Sequence, residues 1–168
     1  LHKDLGIALL HKHFSILPTE RLVDSRNMSA PWDMSHDTNA TAHKYEGVVW
    51  PRSFRLNERG FVPYEFGFSD AELPPPMNQD FLVELSSLLR QQKLDKVLGV
   101  RVLDNHNSDL TVEVTEGKMN MMIRRGIIPD QELIQALWVF DDEDQACHCK
   151  EFCRMDKGDH VEKNHSCG

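Results

Sequence analysis

Cysteine and histidine crowd one end of this chain. All four cysteines, Cys147, Cys149, Cys153 and Cys167, lie after residue 146, and three of the nine histidines, His148, His160 and His165, sit among them. Structural zinc takes four thiolate or imidazole ligands in a tetrahedron, and short paired Cys/His spacings supply them. Cys149-x3-Cys153 is one pair, and His160-x4-His165 or His165-x-Cys167 is the other, with Gly158 bending the loop between them. The expected cofactor is Zn2+ on Cys149, Cys153, His165 and Cys167, with Cys147, His160 and His148 as competing ligands. Two disulfides are the alternative, but they would close only short local loops and staple nothing distant. The segment has few apolar residues (Phe152, Met155 and Val161), so metal binding would have to supply its order.

A second set of groups lies on segments that otherwise read as apolar strands: Arg52, Glu65, Glu113, Asn120 and Arg124. Strand alternation puts Leu110, Val112 and Val114 on one face and Thr111, Glu113 and Thr115 on the other. It also puts Glu65 with Phe61, Pro63 and Gly67. If a curved sheet closes over a cavity, Glu65, Glu113, Arg52 and Arg124 converge there, a carboxylate pair with arginines suited to acid–base chemistry or anion binding. The plainer reading is a solvated sheet face laced with cross-strand ion pairs. His13 is a further catalytic candidate. In His11-Lys-His13 the two rings diverge on a helix, and His13 then lies with an apolar stripe, so a core or boundary role is the plainer alternative. No phosphate-cradling glycine loop and no nucleophile elbow is present.

Several elements must position these groups. Leu5, Leu9 and His13 suggest a helix over residues 1–17, ended by Pro18. A short strand fits 21–24, and polar residues 33–44 read as a loop. Residues 48–56 and 61–68 form a hairpin around Asn57-Glu-Arg-Gly60, with Pro51 and Pro63 marking an edge or bulges. Phe81, Leu82, Leu85, Leu88 and Leu89 define a helix over 78–92, capped by Asn78 or Asp80. Strands follow at 97–103, 110–116 and 119–125, then a short helix over 129–135 and a strand at 137–140. The expected fold is α+β: a mainly antiparallel sheet of about five or six strands, helices on one face, and a C-terminal Cys/His metal-binding tail. The expected domains are a core over 1–144 and a zinc tail over 145–168.

The chain has 168 residues, 40% of them hydrophobic, and a net charge of −8. An acidic chain disfavours nucleic-acid binding, which needs clustered Lys and Arg. No apolar run approaches the ~20 residues of a membrane span. Residues 1–10 do not read as a signal peptide, and the expected compartment is the reducing cytoplasm.

Leu9-Leu-His-Lys-His-Phe14, Pro51-Arg-Ser-Phe54, Tyr64-Glu-Phe-Gly-Phe68, Met119-Asn-Met-Met-Ile-Arg-Arg-Gly126 and Cys147-His-Cys-Lys-Glu-Phe-Cys153 span most of the chain. On these segments it resembles a family of uncharacterised proteins from filamentous fungi. That resemblance implies a fungal cytosolic protein and no particular activity. Cys147-x-Cys-x3-Cys153 and Asn164-His-Ser-Cys167 are also similar to the zinc tail and cofactor motif of protein-lysine methyltransferases. Those enzymes carry the two elements in the opposite order, which sets that likeness aside.

Two function classes follow. One is a zinc-binding intracellular interaction or scaffold protein, docking a protein partner through its tail and the acidic run Asp141–Asp144. The other is a small-molecule enzyme of fungal secondary metabolism, of lyase, isomerase or hydrolase type. Converging Glu and Arg over a concave site would favour the enzyme; a flat polar sheet face would favour the interaction protein.

Overall fold

Apolar alternation on both sides of Asn57-Glu-Arg-Gly60 builds the longest ribbon of the protein. Strands β4 (Val48–Asn57) and β5 (Gly60–Ser69) pair antiparallel. Gly60 takes φ +121°, which a side chain would resist, and Asn57 Oδ1 accepts from the Arg59 amide at 2.8 Å. The computed structural model describes residues 4–10, 20–25, 28–33, 48–69, 76–103, 111–116, 119–140 and 147–154.

The remaining strands are β1 (Leu5–Leu9), β2 (Glu20–Ser25), β3 (Met28–Asp33), β6 (Leu98–Val102), β7 (Thr111–Glu116), β8 (Met119–Arg124), β9 (Leu133–Phe140) and β10 (Cys147–Arg154). Every one of these ten strands has a neighbour on both sides, and the sheet closes on itself in the order β1-β6-β4-β5-β2-β3-β8-β7-β10-β9. The β2–β5 and β7–β10 pairs are parallel; the others are antiparallel. The expected α+β sheet with helices on one face is therefore corrected to a closed, mixed β-barrel, with one α-helix among the described residues. Closure removes the open edges that an unclosed sheet would leave to other chains.

The N-terminal expectation failed for a simple reason. Leu5-Gly-Ile-Ala-Leu9 is a short apolar run, which periodicity alone cannot divide between helix and strand. Pairing with β6 over its whole length and with β9 at Ile7 and Ala8 decides for a strand. Gly6 was the available clue: a Cβ there would lie 2.8 Å from Leu137 Cδ1, whose side chain fills the place. The expected helix over 129–135 is a single 3-10 turn, Asp130–Glu132, leading directly into β9. The first part of the expected zinc tail is β10, seated between β7 and β9 as part of the barrel wall. Of the expected loop at 33–44, Asp33 is the last residue of β3; 34–44 and the remainder of the tail lie outside the described residues.

The helix expected over 78–92 is α1 (Gln79–Gln91), capped by Asn78, whose Oδ1 accepts from the amides of Asp80 and Phe81. Its Leu82, Phe81 and Leu85 join Leu5, Phe54, Val100 and Val102 in one apolar cluster. Leu88, placed on the same stripe by spacing, is exposed. Arg90 Nη2 donates to the Asn57 carbonyl at 2.7 Å, tying the helix to the β4–β5 turn. A second cluster joins Val112, Phe152, Ile123 and Leu133 with Ile128, from the connection after β8; the Arg125 guanidinium lies 4.2 Å from the Phe152 ring centre.

Gly99 on β6 shows how tightly the wall is drawn. A Cβ at this position would run into the Phe54 carbonyl oxygen and Leu10 Cδ2. Gly99→Ala is expected to lower stability by about 2–3 kcal/mol through overpacking that the backbone cannot relieve. Urea denaturation measures it; at Gly60 no atom lies within 4 Å of a new Cβ, so the cost of Gly60→Ala comes from the positive φ alone.

Candidate functional site

Charged side chains meet inside the ring. Arg101 on β6 donates from Nη1 to Glu151 Oε2 of β10 at 2.6 Å, from Nη2 to Glu65 Oε2 of β5 at 2.9 Å, and from Nε to Ser53 Oγ of β4 at 3.0 Å. Strands β6 and β10 are not neighbours; β1 and β9 stand between them in the wall. A direct hydrogen bond between them therefore crosses the lumen. Arg101, Glu65 and Glu151 side chains are 14%, 17% and 5% exposed, so the pairs are largely removed from solvent.

Two further groups face the same centre. Tyr64 hydrogen-bonds Ser53 and feels the charges of Glu65, Arg101 and Glu113. Glu113, on β7, is buried and interacts electrostatically with both Arg101 and Tyr64. The alternation read along β7 holds: Val112 joins the apolar cluster with Phe152, while Thr111 and Glu113 stand opposite Glu151 and Cys153. Farther along that strand Thr115 Oγ1 bonds the buried Asn120 Oδ1 at 2.8 Å.

The face expected for Glu65 needs correction. Register along β4–β5 shifts between Pro51 and Phe54: Ser53 pairs with Glu65 and Phe54 with Pro63, leaving Tyr64 as the extra residue. A bulge of this kind re-aims side chains. Phe61 packs on the helix-side cluster, while Tyr64 and Glu65, adjacent in sequence, both reach the Arg101 centre. Pro51 and Pro63 had marked the irregularity but not its direction.

Burial by itself would lower the Arg101 value, but Glu151 and Glu65, with Tyr64 and Glu113 behind them, outweigh it and hold the guanidinium firmly charged. Burial first, and Glu65 second, push the Tyr64 phenol well above its ordinary range. Its hydroxyl therefore stays protonated and available to donate.

Of the expected acid–base residues, Glu65 and Glu113 share the Arg101 centre, Arg52 is buried beside Ser53 on β4, and Arg124 is exposed at the end of β8. His13 lies outside the described residues. Arg101, Glu151, Tyr64 and Ser53 were missed. Arg101 had a readable signal, a lone charge between Val100 and Val102 in a short strand. Glu151 had none, because it sits within the cysteine-rich segment.

For the metal set, Cys149 and Cys153 lie on β10, Cys147 and His148 are exposed at its start, and His160, His165 and Cys167 lie outside the described residues. Cys153 is fully buried, and the Cys149 thiol, which donates to the Glu151 carbonyl, is pushed up by burial. Among the described residues no group of three or more His, Cys, Asp or Glu is arranged to hold a metal ion. No helix among them is long and apolar enough to cross a membrane. Compared with known proteins, the chain matches no family model, no curated protein and no solved structure.

Arg101→Met should cost about 3–5 kcal/mol, because it leaves Glu65 and Glu151 buried without their cation. Adding Glu65→Gln and Glu151→Gln to that variant should recover part of the loss, as thermal unfolding will show. A raised phenol value in the folded state stabilises fully below the ordinary value near ~10 and is lost as pH rises above it. Native protein should thus lose stability above about pH 10, and Tyr64→Phe should lose less over the same range. Phenolate absorbance at 295 nm, taken as wild type minus Tyr64→Phe, should be absent until alkali unfolds the chain.

Proposed function

We propose that the barrel lumen is the site of a small-molecule enzyme that works by proton transfer, of isomerase or lyase type. The observation that carries this reading is the Arg101 centre itself, in which carboxylates from two strands meet one guanidinium across the lumen. Interiors that serve only stability are filled with branched apolar side chains, and a buried ion pair does no better than such packing. A lumen that keeps charged and hydroxyl groups together is the arrangement acid–base chemistry uses. Closure also speaks against the solvated, flat sheet face that an interaction protein would offer.

Roles follow from chemistry and position. Glu113 and Glu65 are the candidate bases, Glu65 with one oxygen engaged by Arg101. Tyr64 and Ser53 supply the donor on the opposite side of the transfer. Arg101 holds Glu65 and Glu151 in place by hydrogen bonds, a positioning role. The expected zinc ligands Cys149, Cys153, His165 and Cys167 are carried by the sequence alone.

Deuterium uptake tests the reading before any substrate is identified. Incubated in D2O with a mixed metabolite extract, the protein should place deuterium at a carbon of at least one compound, seen by mass spectrometry. Glu113→Gln and Glu65→Gln should each reduce that exchange by 100-fold or more, on the order of a general base's contribution. Exchange equal to that of a protein-free control would sink the proposal.

A further inference from the structure

We propose that the lumen takes an uncharged, carbonyl-bearing molecule and that the Ser53–Tyr64 hydroxyl pair donates a hydrogen bond to its carbonyl oxygen. The inference rests on the lumen being the functional site and adds the class of ligand.

Hydrogen counting leads to the donor. Arg101 has protons to give and no acceptor, so its Nε–H occupies a lone pair of Ser53 Oγ. Ser53 and Tyr64 then share one hydrogen bond between two hydroxyls. Two hydroxyls bring two protons, and the bond between them uses one. One O–H is left over, whichever way the shared bond runs. Burial keeps the phenol from ionising, so that proton stays on the pair.

Other polar atoms nearby are also unmatched. Thr111 Oγ1, on the residue paired with Glu151, is buried and has no hydrogen-bond partner among the described residues. Trp50 Nε1 is likewise buried without a partner, but its ring belongs to the apolar cluster under α1. A buried N–H or O–H without a partner is costly, and a ligand oxygen would relieve it.

Charge decides which oxygen. All three nitrogens of Arg101 are already engaged, by Glu151, Glu65 and Ser53. A carboxylate or phosphate entering the lumen would compete with Glu151 and Glu65 for that guanidinium and would meet the charges of Glu65, Glu113 and Glu151. An ammonium would be drawn by those acids, but it brings only donors to a place whose hydroxyls need an acceptor. A neutral carbonyl satisfies both conditions. It is also the group whose neighbouring C–H a carboxylate can deprotonate: the C–H pair moves into a C=C bond, and the carbonyl oxygen takes up the charge under the donated proton.

Three compounds of one ring size separate the possibilities: acetophenone, benzoate and benzylammonium, titrated against the full chain by ligand-observed NMR. Acetophenone should saturate, with the two ions at least tenfold weaker. Tyr64→Phe and, separately, Thr111→Val should each weaken acetophenone by up to about tenfold, the loss of one hydrogen bond. Both substitutions remove little more than a hydroxyl, and unfolding curves report whether either variant is folded. Benzoate or benzylammonium binding as tightly as the ketone overturns the ligand class and leaves the lumen site standing. Ketone affinity unchanged in both variants overturns the assigned donor. If none of the three saturates, the lumen site falls, and the ligand class with it.

Discussion

One guanidinium ties the barrel together from within. The hydrogen bonds of the wall join each strand only to its neighbours, whereas Arg101 joins β6 to β10 and to β5 across the lumen. Placing charge there is costly unless every partner is present: Arg101 needs its carboxylates, and they need it. The three nitrogens of Arg101 find acceptors on three other strands, so the positions of β4, β5 and β10 around β6 are coupled. A strand shifted by one residue would reverse its faces and carry its group out of the lumen.

That coupling explains the irregularities of the wall. The β4–β5 ribbon needs to bring Ser53, Tyr64 and Glu65 to one centre while Phe54 and Phe61 stay against α1. Strict alternation cannot give both, and the register shifts around Ser53 resolve the conflict. The glycines serve the same end. Gly6, paired with Arg101, leaves room for Leu137, and Gly67 leaves room for the Trp50 ring. Apolar packing is concentrated in two clusters, one under α1 and one around Phe152 and Ile128, so stability does not require an apolar lumen.

The electrostatic balance gives the lumen its chemical character. Arg101 lies among Glu65, Glu113 and Glu151, largely removed from solvent, and Tyr64 lies with them. Low polarity around such groups strengthens each interaction and makes an unmatched donor more costly. A ligand that replaced the missing acceptors would enter a frame already fixed by the ion pairs, with little left to reorganise. Preorganised donors and carboxylates facing one another are the elements of proton transfer.

Local chemistry in the sequence was enough to determine the elements whose signals are short-range. The Asn57–Gly60 turn, the Asn78 cap, the stripe of α1 and the alternation of β7 each depend on residues a few positions apart, and each was legible. The acid–base potential of Glu65 and Glu113 was legible too, as charges on apolar strands. Barrel closure was not, because it depends on pairings such as β1 with β9 and β7 with β10, which join distant segments and leave no local mark. The same gap turned Leu5–Leu9 into an expected helix and assigned Cys147–Arg154 to a metal tail, although that segment is a wall strand. Arg101 and Glu151 are 50 residues apart in the chain and 2.6 Å apart in space. Only the tertiary structure could join them, because a charge in a strand faces solvent or lumen according to which way the whole sheet curves, and no single segment sets that curvature.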